Sequence, residues 1–166
     1  MQSAAISQFA EWISRTPLSK VIVTYEWIIP GTQSVHYMAL AVLFSSAAII
    51  NLRILGLISG HTPLARVAQR FAPGIWIALV VMIVTGLVLL VGEPARSLTT
   101  WEFQSKMAML VLVAALTVYM QRRIADGASQ WDVAAAVPGA ARAAALTSLL
   151  LWMLIIVAGR WIAYHS

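Results

Sequence analysis

Four long apolar stretches constrain this chain more than any other feature. They cover about residues 35 to 58, 72 to 92, 102 to 121 and 143 to 164, and each approaches the roughly 20 residues a helix needs to cross a hydrocarbon core. Inside a bilayer an open backbone finds no water to bond, so segments of this length and composition cross as helices. Composition agrees: 61% of the 166 residues are hydrophobic and only 10% are charged, far outside the range of a soluble domain. The fold class read from this pattern is all-α, an integral membrane four-helix bundle. No Ser-, Gly- or charge-rich linker divides it.

Ahead of the four runs, residues 1–31 read as interfacial helices, with 32–166 as the bundle proper, one domain overall. Ile6, Phe9, Ala10 and Ile13 recur at helical spacing while Gln8, Glu11 and Arg15 are polar, the pattern of an amphipathic helix lying on a membrane surface. Thr16-Pro17 caps and opens a second short helix, which Pro30-Gly31 interrupts. The N-terminus has neither a basic n-region nor an unbroken apolar h-region, so it is expected to stay in the mature chain.

Alternating crossings define two faces, side A with both termini and side B opposite. Arg66, Arg70, Arg122, Arg123 and Arg142 fall on side B, diluted by Asp126 and Asp132; side A mixes Arg15, Lys20, Arg96, Lys106 and Arg160 with Glu11, Glu26, Glu93 and Glu102. The positive-inside rule makes side B cytoplasmic. Both termini are then periplasmic in a bacterial inner membrane. The net charge of +5 expresses this orientation; scattered basic residues without an aromatic-basic patch do not suggest nucleic acid. Trp27, Trp101, Trp161, Tyr25 and Tyr164 on side A, with Trp76 and Trp131 on side B, suit interfacial belts.

The absence of cysteine removes disulfides, thiolate metal sites, iron–sulfur clusters and covalently attached haem. No GxSxG, HExxH or phosphate-binding loop occurs, so an enzyme acting alone is not indicated. His36 opens the first span and His165 follows the fourth, both on side A, whereas His61 lies on side B, about 37 Å along a helix from His36. His36 and His165 are thus the candidate metal ligands. Two imidazoles from facing helices can hold a b-type haem, with Arg96, Lys106 and Arg160 available for its propionates. Copper is the alternative, because Met38, Met107 and Met109 approach the same end and thioethers with imidazole suit Cu(I). A cofactor-free structural or accessory subunit is the third reading.

Other polar residues within the spans are Asn51 and Arg53. Arg53 can snorkel, bond a neighbouring carbonyl, or anchor an anionic headgroup, quinone oxygen or cofactor carboxylate. Lys106 follows Glu102 by four residues and can pair with it along one helix face. Gly56 and Gly60 form a GxxxG step that would permit close helix approach. So slight a bundle is expected to work as a homo-oligomer or as a subunit of a membrane complex.

One ordered set of motifs resembles a known family. TPLS at 16 to 19, WIIPGTQSVH at 27 to 36, NLRILGL at 51 to 57, the P-x-x-W of Pro73 to Trp76, TGLVLL at 85 to 90 and the F-x-x-K of Phe103 to Lys106 are similar to a family of small bacterial four-helix membrane proteins classed as a domain of unknown function. The resemblance covers about residues 10 to 123. It implies an all-helical integral membrane fold and no established activity. Members usually show Asp-Leu-Arg where this chain has Asn51-Leu52-Arg53, so the intramembrane carboxylate–arginine pair implied by the family becomes an amide–arginine contact here.

Overall fold

The computed structural model describes residues 4–58, 61–98, 101–127 and 137–161, with positions 96, 101, 102, 127 and 159–161 described by their backbone alone. Among the described residues there are seven helices and no strand: α1 (Ala4–Ser14), α2 (Pro17–Thr24), α3 (Ile28–Ile54), α4 (Leu64–Gly92), α5 (Pro94–Leu98), α6 (Trp101–Gly127) and α7 (Gly139–Trp161). Four contain stretches long and apolar enough to cross a membrane, Ile28–Ile54, Leu64–Gly92, Phe103–Asp126 and Gly139–Ala158. The chain is therefore a multi-pass membrane protein built as an all-α four-helix bundle. Helix α3 packs most extensively on α4, α4 touches α6, α6 packs on α7, and α7 returns to α3, closing the ring.

The helices extend beyond the apolar runs, because hydropathy marks the hydrocarbon core and not the helix end. Helix α3 starts at Ile28 and passes through Pro30-Gly31, where the sequence suggested an interruption. Pro30 falls in the first turn, whose N–H groups have no intrahelical acceptor, so its missing donor breaks nothing. Helix α4 starts at Leu64 and includes Pro73. Arg66 and Arg70, expected in a loop, lie on its first two turns; Arg122 and Arg123 lie on the last turns of α6, and Arg142 on the first turn of α7.

The end of α3 corrects the GxxxG reading. Gly56 stands outside the helix with φ 78°, its N–H donating to the Arg53 carbonyl at 3.1 Å while the Leu57 N–H donates to the Leu52 carbonyl at 2.9 Å. This paired arrangement closes a helix with a residue in the left-handed region, which glycine enters without a Cβ clash. Gly60 lies outside the described residues. Arg53, one turn earlier, is 2% exposed and donates from Nε to the Thr62 carbonyl at 3.1 Å. It ties the connection between α3 and α4 to the bundle and does not snorkel outward.

At side A, Thr16 caps α2 by accepting the Ser19 N–H at 3.3 Å, with Pro17 at the first helical position. Helix α1 lies against α5 with Ala10 and Ile13 buried, while Phe9 and Trp12 stay exposed and stack at 5.9 Å. The apolar residues of α1 thus divide between a face toward the protein and a face away from it.

The α3–α4 seam depends on small residues at one level. A Cβ on Gly74 would stand 3.0 Å from Ser46 Oγ, with Val42 Cγ1 at 3.9 Å. Replacing Gly74 with valine adds two further methyl groups where even one carbon is tight. Gly74→Val is expected to lower stability by about 1–3 kcal/mol, read as a lower unfolding midpoint in detergent; an unchanged midpoint would show that the seam opens freely.

Candidate functional site

His36 lies on α3 between its second and third turns, and Thr85 lies on α4, two turns before that helix ends. The His36 Nδ1 and Thr85 Oγ1 atoms are 2.8 Å apart. The hydroxyl is also 2.7 Å from the Val81 carbonyl and 3.3 Å from that of Met82. A threonine hydroxyl has one proton, and both carbonyls can only accept. With its proton on the Val81 carbonyl, Thr85 Oγ1 accepts the Nδ1–H of His36; with its proton on Nδ1, the imidazole carries its own on Nε2. The first arrangement keeps the bond to the Val81 carbonyl and leaves the Nε2 lone pair available to another group.

Thr85 is buried and His36 half-buried. Lys106 is half-buried on α6. The His36–Thr85 bond joins α3 to α4 toward side A, and α6 packs on α4. Among the described residues, the buried core side chains of α6 are Val113, Met120 and Ile124, with Met109 and Leu110 partly buried against the core before them.

The other candidates are placed differently. His165 lies outside the described residues, as do the side chains of Arg96, Arg160 and Glu102, the proposed partner of Lys106. His61 is exposed in the connection between α3 and α4, at the end opposite His36. Met38 is 71% exposed and Met107 38% exposed, so neither turns into the bundle beside His36. No group of three or more His, Cys, Asp or Glu residues able to hold a metal occurs among the described residues.

A second polar contact lies nearer side B. The Asn51 amide donates to Ser148 Oγ at 3.1 Å, joining α3 to α7 with both residues buried. The family resemblance pointed Asn51 toward Arg53, but its amide reaches across to another helix. Sequence reasoning missed Thr85 and Ser148. Each is a single hydroxyl in an apolar run, and a threonine or serine in such a run can always bond its own helix. The one available signal was that Thr85 opens the TGLVLL motif.

Comparison with known proteins gives a family. The model of a family of unknown function (DUF6644) matches residues 9–165, and the chain belongs to that family. No curated protein and no solved structure matches it.

The tautomer can be tested without any ligand. In histidine-labelled protein, ¹⁵N magic-angle-spinning spectra should show His36 protonated at Nδ1 and bare at Nε2. Thr85→Val keeps the side-chain shape and removes the acceptor, so it should redistribute the proton between the two nitrogens; Thr85→Ser should restore the wild-type pattern. A spectrum unaffected by Thr85→Val would mean that the hydroxyl does not set the tautomer.

Proposed function

We propose that this protein is an electron-transfer subunit of the bacterial inner membrane, holding one b-type haem in the side A half of its bundle. The observation that carries this reading is the Val81 carbonyl–Thr85–His36 chain of hydrogen bonds. Histidines that bind metals nearly always donate their second ring nitrogen to a fixed acceptor, which orients the ring and raises its basicity. His36 has that acceptor, and its Nε2 remains available as an axial ligand.

Lys106, half-buried on α6 toward the same end of the bundle, is the candidate cation for a propionate. His165 is the second axial ligand in this reading. When bound, the haem supplies one-electron chemistry; the chain fixes the ligand, balances charge and excludes water. Copper is less favoured because Met38 faces away from the bundle.

The direct measurement is an absorption spectrum of dithionite-reduced protein expressed with ample haem. Wild type and His61→Ala should show a sharp reduced-haem band. His36→Ala and His165→Ala should lose or broaden it. No band in wild type removes the proposal and leaves the cofactor-free accessory subunit in its place.

Orientation belongs to the same proposal. The arginines of side B favour a cytoplasmic position for that end by the positive-inside rule, and the haem then lies toward the periplasmic face. A reporter fused at residue 130, between α6 and α7, should be active only as a cytoplasmic reporter. Periplasmic activity there would invert the topology and put the His36 site at the inner face.

A further inference from the structure

One glycine of α4 has no packing reason to be a glycine. A Cβ on Gly74 would stand 3.0 Å from Ser46 Oγ, and one on Gly92 would stand 3.0 Å from Ile22 Cγ2, so at both positions a missing side chain lets a neighbouring helix come close. A Cβ on Gly86 would meet, among the described residues, only His36 Cε1, at 3.7 Å. That is an ordinary van der Waals distance. The backbone at Gly86 is helical and its φ is not in the left-handed region. Alanine would suit both the space and the helix, and glycine is the poorer helix former. Whatever glycine provides at this position lies beyond Cβ, in the space beside the imidazole.

The contacts of α4 fix where that space lies. Gly74 and Thr85 both meet α3 and fall within about 20° of one another around the helix. Trp76, whose indole N–H donates to Gln121 of α6 at 3.2 Å, is about 180° from Thr85. Gly86 stands between them, about 100° past Thr85 and about 80° short of Trp76. It lies on the side of the buried Ile75 and Met82, away from the exposed Ile77, Val80 and Val84. The imidazole follows the same path, because Nδ1 bonds Thr85 and the next ring atom, Cε1, faces Gly86. The ring thus runs across the buried face of α4 from the α3 side toward the α6 side, with Nε2, the atom after Cε1, on the Gly86 side.

We propose that Gly86 sets access to His36: its missing side chain keeps the Cε1–Nε2 edge of the imidazole uncovered within the bundle, and a group binding Nε2 passes over the bare backbone of α4. Glycine is the residue that allows close approach of a ligand to the main chain. The inference rests on His36 being a ligand-binding imidazole and adds a selection by size at position 86. A methyl group there touches the ring edge without covering it. A side chain branched at Cβ is stiff and puts carbon on two sides of that atom, which closes the edge. Thr85 and Gly86, adjacent in TGLVLL, then act on one ring, the first holding Nδ1 and the second leaving Nε2 open.

Diethyl pyrocarbonate, which acylates a neutral imidazole at an accessible nitrogen lone pair, tests this on the full chain in detergent before haem is added. Mass spectrometry reads the rate at His36, with the exposed His61 as internal standard. Wild-type His36 should react. Gly86→Val should slow it about tenfold or more relative to His61. Gly86→Ala should slow it less while keeping or raising the unfolding midpoint, a combination that a purely structural glycine would not produce and that decides the matter even if the valine variant fails to fold. Equal His36 rates in wild type and every folded variant, or an unreactive wild-type His36, overturn the inference. Haem is tested separately: if wild type binds it, a folded Gly86→Val should lose the reduced-haem band, and a band of wild-type strength counts against the role of Gly86. If wild type binds no haem, the haem proposal fails and the labelling still decides this one.

Discussion

In hydrocarbon, a polar side chain must find its partner within the chain, and this requirement organises the bundle. Apolar packing between transmembrane helices specifies register poorly, because lipid tails offer the same kind of contact. Polar contacts are discrete. His36 with Thr85 sets α3 against α4, Asn51 with Ser148 sets α3 against α7, and Trp76 with Gln121 sets α4 against α6. Each joins a different pair of neighbours in the ring, so sliding one helix past another would strand a donor away from water. Arg53 adds a fourth constraint by bonding the Thr62 carbonyl, which fixes the connection out of α3 and hence where α4 begins.

The number of crossings was legible because it depends on bulk hydropathy, which four uninterrupted runs express directly. Helix ends depend on local chemistry that hydropathy does not measure. Pro30 looks like a breaker until it is known to occupy a first turn, and Gly56 looks like a packing residue until its positive φ places it beyond the helix. Arg66 and Arg70 read as loop because charge is counted as the end of a run, yet an interfacial turn of helix takes arginine readily. His36 and Lys106 stood out as ionisable residues within spans. Thr85 could not, since nothing in the order of residues shows that positions 49 apart will meet.

The two halves of the bundle differ in a way that bears on function. Toward side B the fully buried Leu64, Ile54 and Ala145 close the interior, joined by Met120 and Ile124 from α6. Toward side A, α6 supplies no fully buried side chain to the core before Val113 among the described residues. A close-packed interior accepts no large ligand without losing contacts. The side B half is filled in this way, and His36 lies in the other half.

Thr85 links this architecture to chemistry. Its hydroxyl serves its own helix through the Val81 carbonyl, so it adds no unsatisfied group to the membrane interior whether or not a ligand is present. While that bond holds its only proton, the oxygen acts as an acceptor for His36. In that arrangement the imidazole keeps the Nδ1–H tautomer, and a ligand at Nε2 meets a ring already oriented, with less ordering cost at the moment of binding. A valine at position 85 would pack equally well and leave the ring free to turn. The polar residue contributes direction, and an apolar residue of the same shape could not supply it.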